Sequence, residues 1–461
     1  MLSSLESALV NSSGRRPYPS SLNVQREAIL HLRLGFDRLA AMNFLATPLR
    51  RRILFSALYL GEGAPIGFLW LALPTMLRSA GVPIERITWL TAVLVIPWTF
   101  KFAWAPLVDV LRSPRWTFRH WAIAAQVAMG ATLCPLIWLN PTRDFALIIP
   151  CLIAHAFAAA TQDVAIDALC IAVTDASERG RLNGWMQAGM LAGRAAMGGG
   201  ALILAAYVGE KAVVLLLVAI TTFSGVLLFM SNMPHPLANS QPQGQLKDRI
   251  SQTARELYAA FRQRNSQIGL LFALIGPAAF KSLEVVIGPF LIDRGYSEEE
   301  VGQFSAVVMI GAMVFGSVLG GILADRFSRR AFVAGSLAMI VALITALGLS
   351  DLAYGGTHGM HLPILIGAVA FGIGVFTVAA YAMYMDFTTP AVAATQFSAF
   401  MGATNGCEAW STWAMGLIIA ARGYPPAMFV MCGASLLALP LLAIKTRPSG
   451  MTVDAIETTG I

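Results

Sequence analysis

Runs of about twenty predominantly apolar residues, each long enough to cross a ~30 Å hydrocarbon core, recur along this chain of 461 residues. Twelve can be read off, over roughly 53–77, 87–107, 120–139, 145–171, 182–208, 212–231, 268–292, 302–324, 331–350, 362–386, 395–420 and 426–444. Inside hydrocarbon no water satisfies backbone N–H and C=O groups, so such runs must close their hydrogen bonds within themselves as helices. Composition agrees: 57% of residues are hydrophobic and 12% charged, against roughly 25% charged in soluble domains. The expected fold is an all-α integral membrane protein, with twelve transmembrane helices in two parallel six-helix repeats.

The formal charge of +7 would suit a nucleic-acid partner if it were clustered, but its placement follows topology. With the N-terminus taken as cytoplasmic, 23 Lys and Arg fall in the inward segments and 6 in the outward loops, leaving Lys101, Arg194 and Lys281 within spans. The positive-inside rule therefore predicts both termini in the cytoplasm and gives no reason to expect nucleic acid. All five cysteines (Cys134, Cys151, Cys170, Cys407, Cys432) fall in apolar spans without metal-ligand spacing, so neither a metal nor a disulfide framework is expected. Residues 1–50 do not resemble a bacterial signal peptide, because Arg50-Arg51-Arg52 precedes a full-length span. Within them, 24–45 has the spacing of a basic amphipathic helix on the inner leaflet, the alternatives being a disordered tail or a true start at Met42.

The polar stretch 232–266 separates six spans from six, predicting a cytoplasmic segment 1–52, halves over 53–231 and 267–445, and a tail 446–461. The halves resemble each other. Leu73-Pro74-Thr75-Met76-Leu77-Arg78, followed by Gly81, answers Gly288-Pro289-Phe290-Leu291-Ile292-Asp293, followed by Gly295. Ala105-Pro106-Leu107-Val108-Asp109 answers Gly321-Ile322-Leu323-Ala324-Asp325, and Asp167 answers Asp386. Six spans return the chain to the same side, so the repeats are parallel, an arrangement typical of transporters with a site between the halves.

Gly321-Ile322-Leu323-Ala324-Asp325-Arg326-Phe327-Ser328-Arg329-Arg330 resembles the signature that the major facilitator superfamily carries between its eighth and ninth spans. Lys101-Phe102-Ala103-Trp104-Ala105-Pro106-Leu107-Val108-Asp109, Gln162-Asp163-Val164-Ala165-Ile166-Asp167-Ala168 and Glu178-Arg179-Gly180 resemble a narrower group, the peptide/acetyl-CoA transporters. That group includes AmpG-type muropeptide permeases, endoplasmic-reticulum acetyl-CoA transporters and RhtX/FptX-type siderophore importers. The similarity covers roughly 53–445. It implies a secondary transporter working without a cofactor as a monomer in the bacterial inner membrane.

Depth along each span, at about 1.5 Å per residue, sorts the embedded charges. Glu62, His155, Arg194, Lys281, Glu284 and Glu408 fall near the midplane, where an ionisable group marks a substrate or proton cavity unless it is paired. Arg194 suits an anionic solute group, Glu62 or Glu408 a proton, and His155 a proton step near neutral pH. The competing readings are buried pairs, Glu62 with Arg194 or Lys281 with Glu284 three residues on, and a packed histidine. Gly189 and Gly193 suit close helix packing.

Lys101, Asp109, Asp163, Asp167, Glu178, Arg179, Asp325, Arg326, Arg329, Arg330 and Asp386 fall toward the cytoplasmic ends. The resemblance implies that such residues clamp the halves together at the inner gate; positive-inside topology alone is the alternative for the arginines.

The function expected is secondary, proton-coupled import of a bulky polar solute. A muropeptide comes first, a siderophore second and an acyl-CoA third. Trp70, Trp98, Trp104, Trp185, Trp410 and Trp413 could stack on its rings. No Walker A sequence supports direct ATP drive, and no HExxH or nucleophile elbow supports an intramembrane enzyme built on His155 and Asp163. A non-transporting membrane sensor is the alternative of another class.

Overall fold

The computed structural model describes residues 43–110, 116–140, 143–174, 176–231, 255, 258–324, 326–388 and 393–444. All but the last three residues of the amphipathic segment expected over 24–45, most of the linker 232–266 and the tail 446–461 lie outside them. The described residues form twelve long helical rods. The first six are α1 (Pro48–Ser79), α2 (Ile84–Val110), α3 (Phe118–Leu133), α4 (Phe145–Val173), α5 (Ala176–Met197 continued by Gly199–Val208) and α6 (Glu210–Phe229). The second six are α7 (Arg264–Asp293), α8 (Glu298–Ala324), α9 (Arg329–Ala353), α10 (His361–Asp386), α11 (Ala393–Arg422) and α12 (Tyr424–Ala443).

Eleven of these rods are both long and apolar enough to cross a membrane. The exception is α11, which has the length, at 30 residues, but buries Gln396, Thr404, Glu408, Ser411 and Thr412. A helix so polar is stable in the bundle because protein, rather than lipid, surrounds those side chains. It packs along α2 of the other half: Gly402 lies against the Thr99 carbonyl, and Gly416 against the Thr88 hydroxyl.

Within the first half, α1 and α5 touch backbone to backbone. A Cβ on Gly63 would collide with the Met190 carbonyl, one on Gly67 with the Arg194 carbonyl, and ones on Gly189 and Gly193 with the carbonyls of Ser56 and Leu60. Lipid tails are as apolar as leucine, so close backbone approach and dispersion, rather than the hydrophobic effect, hold such a pair together. The contact aligns the start of α1 with the start of α5, and there Arg51 Nη2 lies 2.6 Å from Glu178 Oε2.

Thr47 caps α1, Pro65 and Pro74 lie within it, and the stretch Phe68–Ala72 is a π-helix in which the Leu73 N–H donates to the Phe68 carbonyl. A second π-stretch, Phe304–Met309, occurs in α8. Just before it, Gly302 meets Gly199 of α5, so both π-stretches border contacts between the halves.

Gly63→Leu should force α1 off α5. Overpacking a tight contact costs about 1–3 kcal/mol or more, so the thermal midpoint of detergent-purified protein should fall by several degrees. An unchanged midpoint would show that the two backbones are not in contact.

Candidate functional site

Two groups of charged side chains occupy the interior, on different sets of helices. The first bridges the halves. Lys281 and Glu284 stand one turn apart on α7, Glu408 projects from α11, and Arg194 comes from α5 of the first half. Lys281 Nζ lies 2.8 Å from Glu408 Oε2 and 3.8 Å from Glu284 Oε2, while Arg194 Nη2 lies 3.9 Å from Glu284 Oε1. The Trp70 indole N–H, from the π-stretch of α1, donates to Glu408 Oε1.

Two cations against two carboxylates make the group neutral, which lowers the cost of setting four charges among apolar helices. Its exposure is graded: the Arg194 side chain is 32% accessible, Lys281 23%, Glu284 14% and Glu408 8%. The cations are thus the more accessible members and the carboxylates the more deeply buried. A guanidinium has five donors, and Arg194 spends little of that capacity on a carboxylate 3.9 Å away.

The second group lies within the first half. Lys101 of α2 forms an ion pair with Asp163 of α4, and the Tyr59 hydroxyl of α1 donates to Asp167 Oδ1 at 2.6 Å. Glu62 stands one turn along α1 from Tyr59, is 2% exposed, and its Oε2 has no hydrogen-bond partner. One ammonium therefore serves three carboxylates.

These placements revise several expectations from sequence. Among the described residues no ion pair joins Glu62 to Arg194; Glu62 belongs with Asp163 and Asp167 because α1 turns it into the first half. Among the described residues, the ion pair of Lys101 with Asp163 and the hydrogen bond on Asp167 lie within the first half. His155 is fully buried with Nδ1 3.2 Å from the Met129 carbonyl and 3.5 Å from Thr132 Oγ1, so its hydrogen bonding is to α3 and it faces neither group.

Two ion pairs near the basic end that carries Arg50–Arg52 each lie within one half. Arg51 holds Glu178, and Arg329 Nη1 lies 2.8 Å from Asp386 Oδ1. Arg330 donates to the Ile444 carbonyl at 2.7 Å and to Asn265 Oδ1 at 3.0 Å. Arg326 is exposed. The side chains of Asp109 and Arg179, and Asp325 altogether, lie outside the described residues.

Besides Arg194 with Glu284, a second ion pair joins the halves at the opposite end. Arg78 Nε, at the close of α1, lies 2.7 Å from Asp293 Oδ1 at the close of α7, and the Tyr424 hydroxyl donates to Asp293 Oδ2 at 2.7 Å. Beside it Arg294 grips Asp351 with two bonds of 2.6 Å, which raises the guanidinium above its ordinary pKa. Sequence reading passed over this link, although the signal was present: the repeated motif ends in Arg78 in one half and Asp293 in the other. Tyr59 carried no comparable signal.

The sequence pattern of the Major Facilitator Superfamily matches residues 55–407. The chain belongs to that superfamily. It is a multi-pass membrane transporter, not an enzyme, as the resemblance of its motifs implied. A putative transporter AmpG 4 of Rickettsia felis is 27% identical over 285 residues, covering 58% of this chain and 67% of that one. The anhydromuropeptide permease of Escherichia coli K12 is 27% identical over 237 residues, about half of each chain at 50% and 47%. The xylose transporter XylE of E. coli, solved inward open, superposes with a TM-score of 0.65 at 13% identity over 89% of this chain and 99% of that one, a likeness of fold.

Lys101→Met should be more harmful than the pair of changes Lys101→Met and Asp163→Asn. Removing one partner strands the other's buried charge at a cost of about 3–5 kcal/mol, whereas removing both strands neither member of the pair. The yield of monodisperse protein after detergent extraction should fall in the single variant and recover in the double. Equal yields would show that the pair is solvated.

Proposed function

We propose that this transporter carries an anionic, sugar-bearing peptide of the muropeptide type, inward and coupled to protons. The carrying observation is the neutral group formed by Arg194, Lys281, Glu284 and Glu408 between the halves, its cations foremost. A peptide carboxylate entering there takes up the spare donors of Arg194 and competes with Glu408 for Lys281, while a peptide ammonium takes the freed carboxylate. Trp70 and Trp98, edge to face at 5.7 Å beside the group, offer an apolar wall for a sugar ring. The relative named anhydromuropeptide permease supports this solute class.

On this reading the basic end faces the cytoplasm, with both termini there, and the chain works as a monomer in a bacterial inner membrane. The second group serves the proton. Three carboxylates facing one ammonium carry two unbalanced negative charges, and a proton on Glu62, the member without a partner, removes one of them. Separating solute and proton groups onto different helices lets each bias the same movement of the first half.

In proteoliposomes the protein should exchange labelled anhydromuropeptide by counterflow, and Arg194→Ala should slow exchange at least about tenfold while inserting normally, as expected for a lost charged hydrogen bond. Exchange at the original rate would remove Arg194 from the solute site, and no exchange by the unaltered protein would overturn the solute class.

Glu62→Gln should abolish accumulation driven by an imposed pH gradient and leave counterflow at equal pH within about twofold of the original. Accumulation that persists would move the proton elsewhere.

A further inference from the structure

The π-stretch Phe68–Ala72 divides α1 into two parts with different attachments. Before it, Gly63 and Gly67 lock α1 onto the backbone of α5 in its own half. After it, Thr75 packs into the notch at Gly288 of α7, and Arg78 pairs with Asp293, so the last two turns are docked on the other half. The joint between these parts is where the helix departs from α-geometry. A π-turn holds one extra residue in its ring, so forming or losing it rotates everything beyond by about 100°. Trp70 stands in the middle of the joint, and its N–H donates to Glu408 on α11.

We propose that Trp70 is a positioning residue that reports occupancy of the inter-half group to this joint. The inference rests on the assignment of that group to the solute. With the group empty, Glu408 accepts from Trp70 and from Lys281, and the first of these bonds ties the two halves together at the centre. A solute cation that takes Glu408 displaces the indole, and the tie is lost. The π-turn is then free to change register, and the docked end of α1, with Thr75 and Arg78, leaves α7.

The test needs no solute, so its failure is distinguishable from failure of the muropeptide assignment. Thr75 is fully buried between the halves. In detergent-purified Thr75→Cys protein, reaction with N-ethylmaleimide should be slow, followed by peptide-resolved mass spectrometry that separates residue 75 from the five native cysteines. Adding Trp70→Phe keeps the apolar ring, removes the donor, and should speed labelling of residue 75 about tenfold, the loss of one hydrogen bond to a charged acceptor. Glu408→Ala, which removes the acceptor, should do the same, and adding Trp70→Phe to it should change labelling no further, because the indole then has no bond left to lose. Trp70→His, which retains a ring N–H, should restore slow labelling.

Buried Cys432 should remain unlabelled in every variant. If it labels in Trp70→Phe, that variant has unfolded, and Glu408→Ala against Trp70→His decides. Unchanged labelling in Trp70→Phe, or multiplied rates in the double variant, would overturn the proposal.

Discussion

An ionised side chain surrounded by apolar helices has to meet an opposite charge or a donor, because leaving it alone costs several kcal/mol, roughly the stability of a whole domain. Most of the interior architecture follows from that one constraint. Lys101 is held by Asp163, Lys281 by Glu408 with Glu284 nearby, and Asp167 by the Tyr59 hydroxyl. Only Glu62 keeps a buried oxygen without a partner among these residues. The exception is informative because the charged neighbours Lys101, Asp163 and Asp167 all have partners.

The same constraint separates two groups of charges in space. Charges shared between halves, on α5, α7 and α11, can change partners when the halves move or when a charged solute enters. On the proposed reading, charges shared within the first half, on α1, α2 and α4, keep their partners through a rigid rotation and respond instead to protonation. At the ends the pattern repeats: Arg51 with Glu178 and Arg329 with Asp386 brace single halves, whereas Arg78 with Asp293 spans both. A link that spans both halves closes one end of the molecule, and a link within one half keeps that half rigid while it moves.

Much of this was legible in the chain. Apolar runs of membrane-crossing length dictate helices, and the duplicated motifs place the division between them. Depth counting picked out Arg194, Lys281, Glu284 and Glu408 as midplane residues, and the structure brings those four together. The same counting put Glu62 and His155 with them, because depth is one coordinate and the rotation of a helix about its axis is another. Glu62 turns toward Asp163 and His155 toward Met129. The polar character of α11 also escaped a reading based on apolar length, since its Gln396, Thr404 and Glu408 are tolerated only by being enclosed in protein.

The amino-acid sequence alone determined that the chain spans a membrane with two related sets of helices and that a few charges lie deep within them. Hydrophobic length and spacing are local properties, and each span carries its own. Which charge meets which was decided only by the tertiary structure. The glycine contacts between α1 and α5 set one helix against the other, and the π-turn at Phe68–Ala72 sets the direction of Trp70. Pairings such as Lys281 with Glu408 and Arg78 with Asp293 join residues more than a hundred positions apart. Their register depends on how whole helices rotate and slide, and no local stretch of sequence contains that information.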